Sequence, residues 1–142
     1  MMNETINGQQ TPQIVRSLLG GLIAGVASAI LNNVWLLVYP LTTGNEVPEI
    51  INIGSVTASS ILGLFIGGFV YFVLHRLTKK GTFIFITAGV VFTFLSLMGP
   101  INMTDLPDGN SAPEGFALLT IPMHLIAGLA AIIITPKWVN RK

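Results

Sequence analysis

The sequence predicts an all-α membrane protein, a four-transmembrane-helix antiparallel bundle with both termini on the cytoplasmic side, and three observations predict it. Of its 142 residues 51% are hydrophobic and only 9% charged, against about 25% charged in ordinary soluble domains. Four stretches are long and apolar enough to cross a bilayer. In the four-pass arrangement they impose, all seven Lys and Arg residues fall on one side of the membrane.

A hydrocarbon core about 30 Å thick needs roughly 20 helical residues, each rising about 1.5 Å. No Asp, Glu, Lys or Arg occurs in 17–45, 50–75, 81–104 or 115–136. Within these stretches the expected helices cover 18–39, 53–75, 82–99 and 116–135. Their ends are set by Pro40 with Gly44 and Pro48, by Lys80-Gly81, by Gly99-Pro100 through Pro113, and by Pro136. Residues 16–142 are expected to form one transmembrane domain, and 1–15 a short, polar, mobile cytoplasmic segment.

Short cytoplasmic loops favour Lys and Arg. The topology determinants are Arg16, then Arg76, Lys79 and Lys80, then Lys137, Arg141 and Lys142, all placed inside. Glu46, Glu49, Asp105, Asp108 and Glu114 fall outside, leaving Glu4 within. Hydropathy and charge thus alternate in step, which predicts an N-in, C-in protein of the inner (plasma) membrane. The rival reading is a cleaved leader ending at Ala27-Ser28-Ala29; it would leave only 31–39 as an apolar stub, too short to span.

Lipid gives no hydrophobic drive for helices to associate, so small residues and interhelical hydrogen bonds must bring them together. The first span offers Gly21, Gly25, Ser28, Asn32, Trp35 and Tyr39 on one face, and the second Ser55, Ser59, Gly63, Gly67 and Tyr71. Gly89, Thr93, Ser96 and Pro100 follow on the third, and Thr120, His124, Gly128, Ala131 and Thr135 on the fourth. Gly21-x-x-x-Gly25 and Gly63-x-x-x-Gly67 suit packing within the bundle; they also suit a homo-oligomer or a larger membrane complex. Ala24-Gly25-Val26 recurs as Ala88-Gly89-Val90, which would relate two hairpins as a parallel repeat.

Depth along the helices is the most informative pattern. Counted from the outer ends by helical rise, Asn32 and Asn33 lie roughly 10 Å in, Ser59 about 9 Å, Thr93 and Ser96 about 5 to 9 Å, and His124 about 12 Å. Two readings fit this polar layer. Asn32, Asn52, Ser59, Thr93, Ser96 and His124, with Trp35 as a flat wall, would line an outward-facing cavity for a small ligand or lipid headgroup. Alternatively they lock the helices together by interhelical hydrogen bonds, worth about 0.6 kcal/mol each on average. His124, an ionisable residue inside a span, is the strongest functional candidate.

The chemistry of common membrane enzymes is missing. There is no H-E-x-x-H, G-x-S-x-G or nucleotide-binding glycine loop, and no acid inside any span. With no Cys and two His, neither a metal site, a haem pair nor any other cofactor is expected. The basic residues lie along a membrane surface rather than on one fold face, so nucleic acid is not an expected partner; the lipid bilayer is.

Asn32-x-x-Trp35, the basic turn after the second span, Leu95-Ser96-Leu97-Met98-Gly99-Pro100 and Met123-His124-Leu125 resemble a bacterial four-transmembrane-helix family carrying a domain of unknown function. The likeness runs from Arg16 to Lys137, and it implies the four-span layout and no activity. The sequence thus supports a non-enzymatic accessory or structural subunit first. A binding or transport module centred on His124 and Asn32 comes second, and an enzyme using His124 as acid or base last.

Overall fold

The computed structural model describes residues 13–141. Four helices in it are long and apolar enough to cross a membrane. The first is α1 (Gln13–Thr43), the second α2 (Ile53–Leu77) and the last α5 (Phe116–Val139). The third span is broken into α3 (Gly81–Ser96) and the single turn α4 (Met98–Asn102). Among the described residues there is no strand, only an isolated bridge between Asp105 and Ser111. The segment expected to be mobile lies outside the described residues up to position 12, and its remainder opens α1.

Two prolines expected to end helices do not. Pro40 and Pro136 lie inside α1 and α5, because proline removes one donor to the residue four back and leaves the next turn free to close. Gly44 N–H bonds the Pro40 carbonyl at 3.0 Å, and Asn140 N–H bonds that of Pro136 at 3.0 Å. What stops α1 is Gly44, whose φ of +71° is the left-handed turn that follows many helices. At 31 residues, α1 is roughly 46 Å long and outreaches the hydrocarbon core. Pro100 has the opposite effect: with no N–H to offer Ser96, it breaks the third span at Leu97.

α2 begins at a capping box. Asn52 Oδ1 accepts from Ser55 N–H, and Ser55 Oγ accepts from Asn52 N–H, both at 3.0 Å, satisfying two otherwise orphaned donors.

The helices pack around α1, which lies against both α2 and α5. In its most apolar stretch 39% of residues are buried, against 11% for the third span. Three apolar clusters mark the depth. Leu36, Tyr39, Val56, Leu119 and Met123 gather at one end, Ala24, Leu64 and Ala130 in the middle, and Tyr71, Phe85 and Val139 at the other. Every described Lys and Arg lies toward the Tyr71 end, where Arg16 donates to the Arg141 carbonyl and Gln13 pairs with His75 at 2.8 Å. Lys142 falls outside the described residues. The described acids lie in the loops at the Tyr39 end, between α1 and α2 and between α4 and α5.

Close approach of α1 and α2 runs along a different face of α2 than expected. Its buried stripe is Val56, Ser60, Leu64, Gly68 and Tyr71, one residue on from the expected Ser55, Ser59, Gly63 and Gly67. A Cβ on Gly21 would lie 2.8 Å from the Gly68 Cα, and one on Gly25 2.9 Å from the Ile61 Cα. Gly63 and Gly67 have nothing within 4 Å of the same position, so among the described residues no close helix contact falls on them. On the far side, Gly89 is set against Ile132 and Gly128 against Thr93, where α3 meets α5.

Candidate functional site

A cleft of about 360 Å³ opens between α2 and α5 in the half of the molecule nearer the acidic end. Its polar lining is Asn32, Ser55, Ser59, Ser60, Thr120 and His124; its apolar walls are Ile51, Val56, Leu64, Met123 and Ala127. The volume is at the small end of the range for ligand sites, about 300 to 1,000 Å³. No charged side chain lines it.

Each polar group is placed by its own helix. Asn32, 4% exposed, stands on the floor and donates from Nδ2 to Ser28 Oγ and Ser60 Oγ, both at 3.3 Å. Its Oδ1 is buried with no partner among the described residues. Leaving such an acceptor unmet costs about 1 to 3 kcal/mol. Ser17 Oγ and Asn33 Oδ1 share that condition, but neither residue lines the cleft.

His124 Nδ1 lies 3.1 Å from Ser96 Oγ, and Ser96 Oγ donates to the Thr93 carbonyl at 2.7 Å. A serine has one proton to give. With that proton on Thr93, the hydrogen between His124 and Ser96 comes from Nδ1.

Of the seven residues expected to bind a ligand, Asn32, Ser59 and His124 line the cleft and Ser96 adjoins it through His124. The other three do not. Asn52 is exposed and occupied in the capping box. Thr93 donates to the Gly89 carbonyl at 2.7 Å and packs on Gly128. Trp35 donates to the Leu119 carbonyl at 2.8 Å and sets its ring edge against Tyr39. Sequence reasoning missed Ser60, Thr120 and Met123. Ser60 directly follows Ser59, so in a uniformly apolar helix only the α1 contact distinguishes the two.

Asn33 bridges instead to Thr57 at 2.9 Å and to the Ala29 carbonyl at 2.8 Å, an α1–α2 clamp outside the cleft. Among the described residues no three His, Asp or Glu side chains come together as a metal site would require.

The profile of a family of unknown function, DUF6069, matches residues 9–141. The chain belongs to that family. The match takes in all four spans and every residue of the cleft, so the cleft lies within the family's unit rather than in an appended segment. No curated protein and no solved structure matches the chain.

Proposed function

We propose that this is a non-enzymatic protein of the bacterial inner membrane that binds a small ligand in the cleft between α2 and α5, with Asn32 and His124 as its principal contacts. The observation that carries the reading is the cleft itself, which gathers Asn32, Ser59, Ser60, Thr120 and His124 around about 360 Å³ inside an otherwise apolar bundle. A concave site with a few convergent polar groups among apolar walls is the arrangement small-molecule sites share. Trp35 and Asn33, which join helices by their donors, do not line the cleft.

Orientation follows the charges. Placing the basic end in the cytoplasm, N-in and C-in, satisfies the positive-inside rule and turns the cleft toward the outer leaflet. A second reading, an accessory subunit of a larger membrane complex or a homo-oligomer, draws on Gly63 and Gly67, where an added Cβ would meet nothing within 4 Å among the described residues.

Ser59→Phe tests the binding reading. Ser59 lines the cleft, and its hydroxyl bonds only the Val56 carbonyl of its own helix at 3.2 Å, so a ring there fills the space without cutting the α1 contacts. Native mass spectrometry of protein released from membranes should show a retained small molecule on the wild type that Ser59→Phe lacks. Equal spectra for the two would overturn the reading.

A further inference from the structure

The cleft opens on the side of the bundle rather than at its end. Ser55 and Ser59 both line it and are both exposed, so its mouth lies on their face of α2. Steps of four along a helix stay on nearly one face. The same face carries Gly63 and Gly67, where an added Cβ would meet nothing within 4 Å among the described residues. The open space of the cleft therefore runs on along α2 as a groove. From Ser55 to Gly67 it extends about 18 Å by helical rise, close to the hydrocarbon depth of one leaflet, about 15 Å.

The far wall of the groove is α3. Near its start α3 meets α2, where Tyr71 packs on Phe85 and its hydroxyl lies 2.7 Å from that of Thr82. Further along it is held by α5 instead, through Gly89 with Ile132, Thr93 with Gly128 and Ser96 with His124. No residue of α3 lines the cleft. The two helices thus part from the Tyr71 end outward, and the groove is a wedge closed at its base. Gly67 lies one turn from Tyr71, too near that junction for a helix about 10 to 12 Å across. A single hydrocarbon chain fits where a second copy of α2 does not.

We infer that the ligand is a membrane glycerolipid that enters sideways between α2 and α3, lays one acyl chain along Ser59, Gly63 and Gly67, and is held at its ester carbonyl by the Ser60 hydroxyl. The inference rests on the binding reading above and names its ligand class. Ser60 is 5% exposed and lines the cleft. Its Oγ accepts from Asn32 at 3.3 Å, and its own proton has no acceptor among the described residues. The hydroxyl protons of Ser55, Ser59 and Thr120 go to the carbonyls of Ile50, Val56 and Phe116. That leaves the Ser60 proton to meet a ligand, and an ester carbonyl at the head of an apolar chain is the acceptor a bilayer brings to such a site. With no charged side chain in the lining, the charge of the headgroup is not selected.

The test uses the full-length protein in vesicles of diether phosphatidylcholine, which has no ester carbonyl, doped with a trace of one of two probes. One is a diacyl phosphatidylcholine carrying a diazirine midway along one chain; the other is its diether analogue. After irradiation, labelled residues are mapped by peptide mass spectrometry for wild type, Gly63→Leu and Ser60→Ala. The expected result is labelling within residues 59–67 that is about fivefold or more stronger with the ester than with the ether, as one hydrogen bond to a buried donor implies.

Gly63→Leu should remove that labelling with both probes, and Ser60→Ala should make the two probes equal. Equal labelling of wild type by the two probes, lost in Gly63→Leu, overturns the ester assignment while the groove remains a lipid site. Labelling of 59–67 no stronger than at Leu31, an exposed residue of α1, overturns the lipid itself. So does cross-linking between copies through Gly63→Cys in the same vesicles, which would put a second chain there. The binding reading falls separately, when wild type and Ser59→Phe retain the same small molecules in native mass spectrometry. Should Ser60→Ala not fold, the ester-to-ether ratio on wild type still decides the ester assignment.

Discussion

The Tyr39 hydroxyl donates to the Gly115 carbonyl at 2.9 Å and accepts from Asn45 Nδ2 at 3.2 Å, joining the end of the first span to the start of the last. Gly115 takes φ +80° there, and a Cβ on it would lie 2.6 Å from the Tyr39 hydroxyl. The contact therefore needs both a phenol and a glycine.

Tyr39→Phe should lower stability by about 0.6 to 1.7 kcal/mol, the span from average to strongest for interhelical hydrogen bonds in a measured membrane protein. Thermal unfolding in detergent reads it directly. Gly115→Ala should cost more, since backbone strain adds to the collision. A ranking in which Gly115→Ala is the milder change would contradict the geometry.

The α1–α2 seam makes a paired prediction. Gly68→Ala places a methyl group 2.5 Å from the Ser17 carbonyl oxygen and 3.1 Å from the Gly21 Cα, and should cost about 1 to 3 kcal/mol as backbones are forced apart. Gly63→Ala meets nothing and should be neutral or raise the melting temperature, since Ala favours helix by about 1 kcal/mol over Gly. Loss of a dimer band on cross-linking of Gly63→Ala would instead mark that face as an interface between copies.

The four spans were legible because length and hydropathy leave little choice, and because Lys80-Gly81 and the acidic loops punctuate them. Their ends were less so: Pro40 and Pro136 were read as stops, yet a proline forbids one bond and not a turn. The face of α2 was misread by one residue for a physical reason. Ser59-Ser60 and Gly67-Gly68 are doublets in a helix apolar on every side, so periodicity cannot say which member turns inward. Only the partner helix decides, and it takes Ser60 and Gly68. Asn32 and His124 stood out because polar groups deep in a span are few. Asn52 was drawn into the site by residue type alone, although its position three residues before Ser55 is a capping signature.

Asn52→Ala separates the cap from the cleft. Removing the side chain should destabilise α2 by about 0.5 to 2 kcal/mol and leave any small molecule retained on the wild type in place, as judged by melting and by native mass spectrometry. Loss of that molecule, as expected of Ser59→Phe, would return Asn52 to the site.

Topology has its own measurement. Reporter fusions at Lys80 and Lys142 should score cytoplasmic and one at Gly109 external; the reverse pattern would turn the cleft toward the cytoplasmic leaflet.

The seating of α1 between α2 and α5 also bears on biogenesis. One partner leaves the ribosome immediately after α1 and the other last, with the loosely held third span emerging in between. Until α5 inserts, the indole of Trp35 and the phenol of Tyr39 lack the Leu119 and Gly115 carbonyls they bond in the finished protein. A nascent chain paused before Phe116 would present these groups, together with Asn32, to insertion factors and quality-control proteases, so the last span seals the molecule against degradation.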